Sequence, residues 1–555
     1  MQNDKNVSNR NLILAIVIST LVVVGWSYLF PQKNVKSSKS LENYSDIPMP
    51  VNQDIKDSKK VLNTQVIKQQ EQSKNITIEN DDTSVTINTQ GLKIQNITLK
   101  NNDVHSPLID SQVFTQVGFL SQTHTMPNQS TVWSVVKSDK KSAIFKTVQN
   151  GITFLQTISF DKNSMLHIKT DIQNNVTFPI SFMLFSRVNQ SLGELPEKNA
   201  ISHEGAILYS NSTLNEKPYH KLKKQNFNFE STDNKKSWLG FSDKYTLITF
   251  ITTGDQKINF VHPQSQAKEI FQVDTVSSTH VVNQNAISSF DTLLFIGKKR
   301  LSNLEKISKE YNIPHFDKAI DFGFLYFITK PIFLLLDFIY KSIGSFAIAI
   351  VMLTLLIKLI LLPLTVKSSI SMAKMKRLQP EITRLQEQYK NDKQMLGQAT
   401  IKLYKEKQVN PLAGCLPMLV QIPIFFALYK VLYVSTEMKN AHLFFWIKDL
   451  SSPDPTSILN LFGLLPFNVP PFLGVLPILF GISMFFYQKA SPQPADKSQA
   501  QIMKFLPLIM TVFLSGFAAG LLFYWIVSNI ISIIQQITIE KFILPRHHRK
   551  NSYNK

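Results

Sequence analysis

The sequence predicts a polytopic α-helical membrane protein of six spans that carries a large β-sandwich domain outside the cytoplasm. Long uncharged runs gather near the N-terminus and in the last third of the chain. About 240 residues between them alternate apolar and polar side chains with period two. Lys and Arg concentrate in the segments that this topology keeps inside. Over 555 residues, 59 Lys and Arg exceed 39 Asp and Glu by 20, which suits an anionic partner. A single cysteine, Cys415, excludes an intramolecular disulfide framework and any multi-cysteine metal site.

Residues 12–30 form an uncharged run of 19, preceded by Lys5 and Arg10. At ~1.5 Å per residue it just spans a bilayer core of ~30 Å. It is longer than the ~7–15 residues of a signal-peptide core, and Tyr28-Leu29-Phe30-Pro31 offers no small-residue cleavage site. Residues 1–30 are therefore expected to be an uncleaved anchor with a cytoplasmic N-terminus. Residues 31–74 are polar and without period, a flexible linker.

The β-domain is expected over 75–315. Leu166, Ile168, Thr170 and Ile172 alternate with His167, Lys169, Asp171 and Gln173, a strand with one wet face. Its histidines are scattered without ligand spacing, so no catalytic residue, metal or cofactor is expected there, and a binding or spacer role is.

A membrane core is expected over 343–544, with spans at 343–364, 415–435, 470–487, 505–518 and 520–539. Residues 505–539 hold no Asp, Glu, Lys or Arg. As one helix they would reach ~52 Å, too long for one crossing, so a split near Ser515-Gly516 and Gly520 is expected. Residues 365–413 carry ten Lys or Arg against four acidic residues and belong inside, as does the basic tail over 545–555. Residues 316–342 read as an interfacial amphipathic helix, because a span there would leave only Ser342 before the next. Within the inside segment, Met372, Met375, Leu378, Ile382, Leu385 and Tyr389 form a helical stripe. A helical hairpin over 371–408 follows, with Lys374, Lys376, Arg377 and Arg384 on a surface suited to anionic phospholipids or ribosomal RNA phosphates.

Lys358 lies six residues inside its span, where a lysine costs up to ~2.5–3.5 kcal/mol. Gln421 lies at the same distance from the end of its own span, and Ser528, Asn529, Ser532, Gln535 and Gln536 occupy the inner half of the last one. Polar groups from three helices at one depth imply a wet, positive cavity open to the cytoplasm and closed outward. Phe425, Phe426, Phe505, Met510, Phe513 and Phe517 would form its apolar rim.

Three strings, SMAKMKRLQPEI (371–382), LYKEKQVNPLAGCLPMLVQIPIFFALYKVL (403–432) and FYWIVSNIISIIQQ (523–536), resemble the YidC family of membrane protein insertases. With one N-terminal anchor and a large outer domain, the whole chain resembles the Gram-negative bacterial form. The resemblance implies a five-helix insertase core around a hydrophilic groove, a periplasmic β-supersandwich and residence in the bacterial inner membrane. It also implies partnership with the Sec translocon, the ribosome and nascent membrane proteins. Lys358 matches the family's groove cation, Tyr524 and Trp525 its aromatic pair, and Ile422, Pro423 and Phe425 part of its substrate slide; Gln421 and Asn529 join the groove, and Phe505, Met510 and Phe513 the slide. Two positions depart: the cation is more often Arg, and Trp525 stands where a second Tyr is common. A secondary transporter or channel for a small anion would instead show internal repeats and polar outer halves, and a structural envelope scaffold would tolerate loss of Lys358; neither explains the matched strings.

Overall fold

Period-two alternation builds strands here because each buries one face. A computed structural model describes residues 73–543, except 101–111, 197–201, 233–234, 264–268, 391, 408, 410–415, 440, 444–445, 464, 466–472 and 492–496. The expected anchor over 1–30, nearly all of the linker and the basic tail lie outside the described residues.

Among the described residues, two nine-stranded antiparallel sheets pack face to face. The first runs β1 (Asn75–Glu79), β2 (Thr83–Asn88), β3 (Lys93–Leu99), β4 (Gln112–Leu120), β9 (Ile180–Leu192), β16 (Glu269–Ser277), β15 (Gln256–Val261), β12 (Phe227–Ser231), with β17 (His280–Val282) also on β9. The second runs β11 (Thr213–Pro218), β10 (Gly205–Ser210), β13 (Ser237–Ser242), β14 (Thr246–Thr252), β18 (Ile287–Lys298), β8 (Met165–Asn174), β7 (Ile152–Phe160), β6 (Ser142–Gln149), β5 (Ser134–Ser138). Phe119 of the first sheet meets Phe154 of the second, centroids 5.0 Å apart. On β8, Leu166, Ile168, Thr170 and Ile172 are buried while Lys169 and Gln173 are exposed. Strands β10 and β13 are buried on both faces. There Trp238 stacks on Tyr209 and meets Phe316 edge-on, and its indole N–H donates to Pro314 O at 3.1 Å.

The short helices α1 (Tyr219–Leu222) and α2 (Leu301–Glu310) belong to the sandwich. The interfacial helix expected from 316 starts later: Phe316–Ala319 is a 3-10 turn and α3 covers Tyr326–Ile343. The first ten residues are drawn off because Phe316 and Ala319 are buried against the sandwich.

Helix α4 (Phe346–Arg377) has 32 residues, ~48 Å, and outruns the span expected at 343–364. The chain breaks at Leu378 into α5 (Gln379–Gln388), with Pro380 in its first turn where no N–H is needed. The hairpin is therefore α5 with α6 (Lys393–Glu406), capped by Asp392, which accepts from Gln394 N and Met395 N at 3.0 Å. Lys374, Lys376 and Arg377 sit on the last turn of α4 rather than on the hairpin; Arg384 is on it. The apolar stripe crosses Leu378 without losing phase, so periodicity hid the break.

Helices α7 (Leu416–Val434), α8 (Val475–Ala490), α9 (Lys497–Leu514) and α10 (Ala519–Thr538) follow. The uncharged run divides between Leu514 and Ala519, where Ala519 N and Gly520 N donate to Ser452 O and Leu450 O at 2.8 and 2.9 Å. Among the described residues, two helices are long and apolar enough to cross a membrane, Phe346–Arg377 and Ala519–Ile543. Leu419–Val434, Val475–Ala490 and Met503–Leu514 are apolar but shorter.

A charged cluster joins sandwich and helices. Asp321 Oδ2 pairs with Lys430 Nζ of α7 at 2.7 Å and accepts from His203 N at 2.9 Å. Lys299, fully buried, donates to Ser242 Oγ at 3.0 Å. Burial pushes the Glu216 carboxyl up to about 7, with the Asp321 charge adding, and pulls the His203 imidazole down to about 4, with Lys299 adding. The two groups act oppositely on stability. Glu216 contributes fully below its ordinary 4.5, and that contribution is lost as pH rises through 7. The His203 contribution, full above 6.5, is lost as pH falls through 4. Glu216→Gln is therefore expected to stabilise the protein at pH 8 by about 1–2 kcal/mol and to change little at pH 4. Thermal unfolding of both proteins at the two pH values checks this; an equal gain at both would remove the charge as its cause.

Candidate functional site

The candidate site lies where α10 meets α4, α7 and α8. On α10, Ser528, Ser532 and Gln535 repeat at helical spacing, and Asn529 and Gln536 flank them. Lys358 projects from α4 among exposed apolar neighbours, Leu355, Leu356, Leu359 and Ile360. Its Nζ donates to Ser532 Oγ at 2.8 Å, and its own carbonyl accepts from Gln535 Nε2 at 3.3 Å. Among the described residues no carboxylate stands at ion-pair distance from it. A cation half-buried in an apolar helix pair, satisfied by one hydroxyl, keeps donor capacity for an incoming anion.

The other expected groove residues are brought to α10, but not to one depth. Gln421 of α7 donates its amide to the hydroxyl of Tyr524, which is fully buried. Tyr524 lies eight residues from Ser532, ~12 Å along the helix, so Gln421 and Lys358 do not share a level. The expectation of one level took each depth from a span end. Helix α4 runs well past 364, so that reference was displaced. Asn529 Nδ2 donates to Ser483 Oγ of α8 at 2.9 Å, between the two. Ser369 Oγ donates to Gln536 Oε1 at 3.1 Å beyond Lys358. The result is a polar ladder along α10 rather than a ring.

Trp525 does not offer its ring to the ladder. It stacks between Phe425 of α7 (4.7 Å, 7°) and Phe480 of α8 (5.2 Å, 20°), an area of contact that a tyrosine would reduce. Sequence reasoning missed Ser483, Ser369 and Phe480. Ser483 had a signal, a hydroxyl midway along an apolar run; Ser369 fell outside the expected span.

Of the expected slide, Ile422, Phe505 and Phe513 are exposed, and Met510 packs against the helical core. Pro423 lies inside α7 and Phe425 is held in the Trp525 stack. Phe517 joins the two apolar faces, 5.3 Å from Tyr429 and 5.8 Å from Phe513. Lys374, Lys376, Arg377 and Arg384 are all exposed. No group of His, Cys, Asp or Glu able to hold a metal occurs among the described residues.

Comparison with known proteins agrees with this architecture. The family described as YidC periplasmic domain matches residues 75–335, and the one described as 60Kd inner membrane protein matches 338–546. The membrane protein insertase YidC of Rickettsia prowazekii (strain Madrid E) is 40% identical, over 96% of this chain and 99% of its own length. That of Rickettsia canadensis (strain McKiel) is 38% identical over the same shares. Among solved structures, an active YidC insertase is matched over 83% of this chain and 91% of that one, at 16% identity and TM-score 0.36. A galactose mutarotase related enzyme from Lactobacillus acidophilus matches 40% of this chain and 97% of that one, at 12% identity and TM-score 0.31. With both halves matched and relatives this similar over nearly the full length, the chain belongs to the YidC family of membrane protein insertases.

Proposed function

We propose that this chain inserts and helps fold membrane proteins in the bacterial inner membrane, using Lys358 to draw a negatively charged segment of the client into the bilayer. The observation that carries the reading is Lys358 itself, a cation among apolar side chains with a hydroxyl and, among the described residues, no carboxylate beside it. An acidic tail or short loop meets it part-way across the membrane, which shortens the apolar barrier the polar segment must cross. The client's apolar span then moves along the exposed faces of α7 and α9 into lipid, driven by burial and, for a charged tail, by the membrane potential. No covalent chemistry and no cofactor enter the reaction.

The working topology has six spans: the anchor, then α4, α7, α8, α9 and α10, with both termini cytoplasmic and residues of about 31–342 periplasmic. Helix α3 lies along the outer surface. The basic end of α4 and the α5–α6 hairpin face the cytoplasm, where phosphates of the ribosome or of anionic phospholipids would recruit them. Some clients pass by way of the Sec translocon.

Reconstitution tests the reading. Proteoliposomes holding the purified chain are expected to insert a single-span client with an acidic outer tail, scored by protease protection, well above protein-free liposomes. Insertion at the protein-free level, together with small-anion flux through the same vesicles, would replace it with the anion-transporter reading.

A further inference from the structure

We infer that Asp321 is a positioning residue, which holds α7 through Lys430 and so sets Phe425 against Trp525. The inference takes its functional meaning from the insertase reading above, but the contact it describes is testable without any client.

Asp321 is fixed from the sandwich side. Its Oδ2 accepts from His203 N at 2.9 Å and its Oδ1 from Gly323 N at 3.0 Å. His203 is itself buried, with its ring nitrogen 3.0 Å from Ala206 O at the start of β10. Burial alone would raise the Asp321 carboxyl, but Lys430 and the two backbone donors outweigh it and hold the group below the usual carboxylate range. The anchor is thus a rigid, ionised carboxylate. The Lys430 stem crosses the turn at Gly323, whose φ of +72° favours glycine, and a β-carbon there would meet the stem at 3.6 Å. A second tie lies one turn on, where Lys244 Nζ sits 3.5 Å over the Tyr433 ring.

Lys430 and Phe425 are five residues apart, ~140° around the helix, so they occupy different faces. One face is pinned to the sandwich by Asp321 and the other meets α10 through Trp525. Five residues is also ~7.5 Å of helix, on the far side of Pro423, so intact backbone hydrogen bonds join the two points. Releasing Lys430 removes the tie nearer Phe425 and lets α7 shift about the Tyr433 contact, and the parallel stack of Phe425 on Trp525 is the contact that reports it.

The chain has five tryptophans, so the full-length protein labelled with 5-fluorotryptophan, in nanodiscs, gives a fluorine resonance for Trp525 assignable by Trp525→Phe. Asp321→Asn keeps an acceptor for His203 N and removes only the charge; Lys430→Met keeps the stem over Gly323. Both are expected to move the Trp525 resonance in the direction that Phe425→Ala moves it, and the double variant no further than either single one. Lys430→Arg is expected to leave it in place. Trp133 and Trp238, buried in the sandwich, mark an intact fold by unchanged resonances. A Trp525 resonance that stays put in either Asp321→Asn or Lys430→Met with those two unchanged would overturn the inference, as would an equal displacement in Lys430→Arg. Failure of client insertion by the wild type would bear on the insertase reading alone.

Discussion

Replacing Arg187 by Met is expected to destabilise the sandwich by about 3–5 kcal/mol. Its guanidinium is buried and grips Asp274 at two points, Nε to Oδ1 at 2.6 Å and Nη2 to Oδ2 at 3.1 Å. Gln272 adds a bond to Oδ2 at 2.5 Å. The methionine removes the compensating charge and leaves a carboxylate, 1% exposed, facing the Gln272 amide. The cost lies in the orphaned charge more than in the pair, since bringing both ions out of water offsets most of their attraction. Arg187→Met combined with Asp274→Leu should therefore recover most of the loss. Urea unfolding of the full chain in detergent, followed through the sandwich tryptophans Trp133 and Trp238, measures both. A single substitution costing under about 1 kcal/mol would mean that water reaches the site.

Trp238→Ala is expected to cost a comparable amount, about 3–5 kcal/mol, with a further consequence. The indole fills the space between β13 and residues 313–320, touching Tyr209 and Phe316 and bonding Pro314 O. That segment is the chain leading from the sandwich into α3. Removing the indole should expose it to protease before the sandwich itself unfolds. Trp238→Phe retains most of the ring contact and loses the N–H bond, so a smaller loss of about 1–3 kcal/mol is expected. Limited proteolysis with fragment mass analysis separates the cases. Cleavage spread evenly over the sandwich would show that Trp238 supports the core alone.

Alternation along β8 was legible because one of its faces stays wet. The same rule is silent on β10 and β13, whose outer faces are covered by chain far away in sequence. The division of residues 505–539 was legible from bilayer thickness, which no single helix of that length fits. The break at Leu378 was not, since an apolar stripe keeps its phase through a change of helix axis. In the site, Lys358 announced itself by the cost of a charge in an apolar run. Its partner Ser532 was in view as one of several polar residues, but the pairing of Asn529 with Ser483 needs two helices whose register no one-dimensional pattern contains. Lys430 lies five residues from the end of the span expected at 415–435. Its partner Asp321 is 109 residues away, and only the folded junction brings them together.

The proposed role of Lys358 rests on its charge, rather than on its size or its hydrogen bond. The direct measurement is insertion into proteoliposomes of two single-span clients, identical but for an acidic or a basic outer tail, by wild type, Lys358→Arg, Lys358→Ala and Lys358→Glu at matched protein levels. We expect wild type and Lys358→Arg to insert the acidic-tailed client, Lys358→Ala to insert it poorly and Lys358→Glu to leave it near the protein-free level. The basic-tailed client should lose little or gain with Lys358→Glu. Equal insertion of the acidic-tailed client by all four proteins would contradict the claim and make Lys358 a lysine whose stem lies in the membrane while its charge seeks the interface.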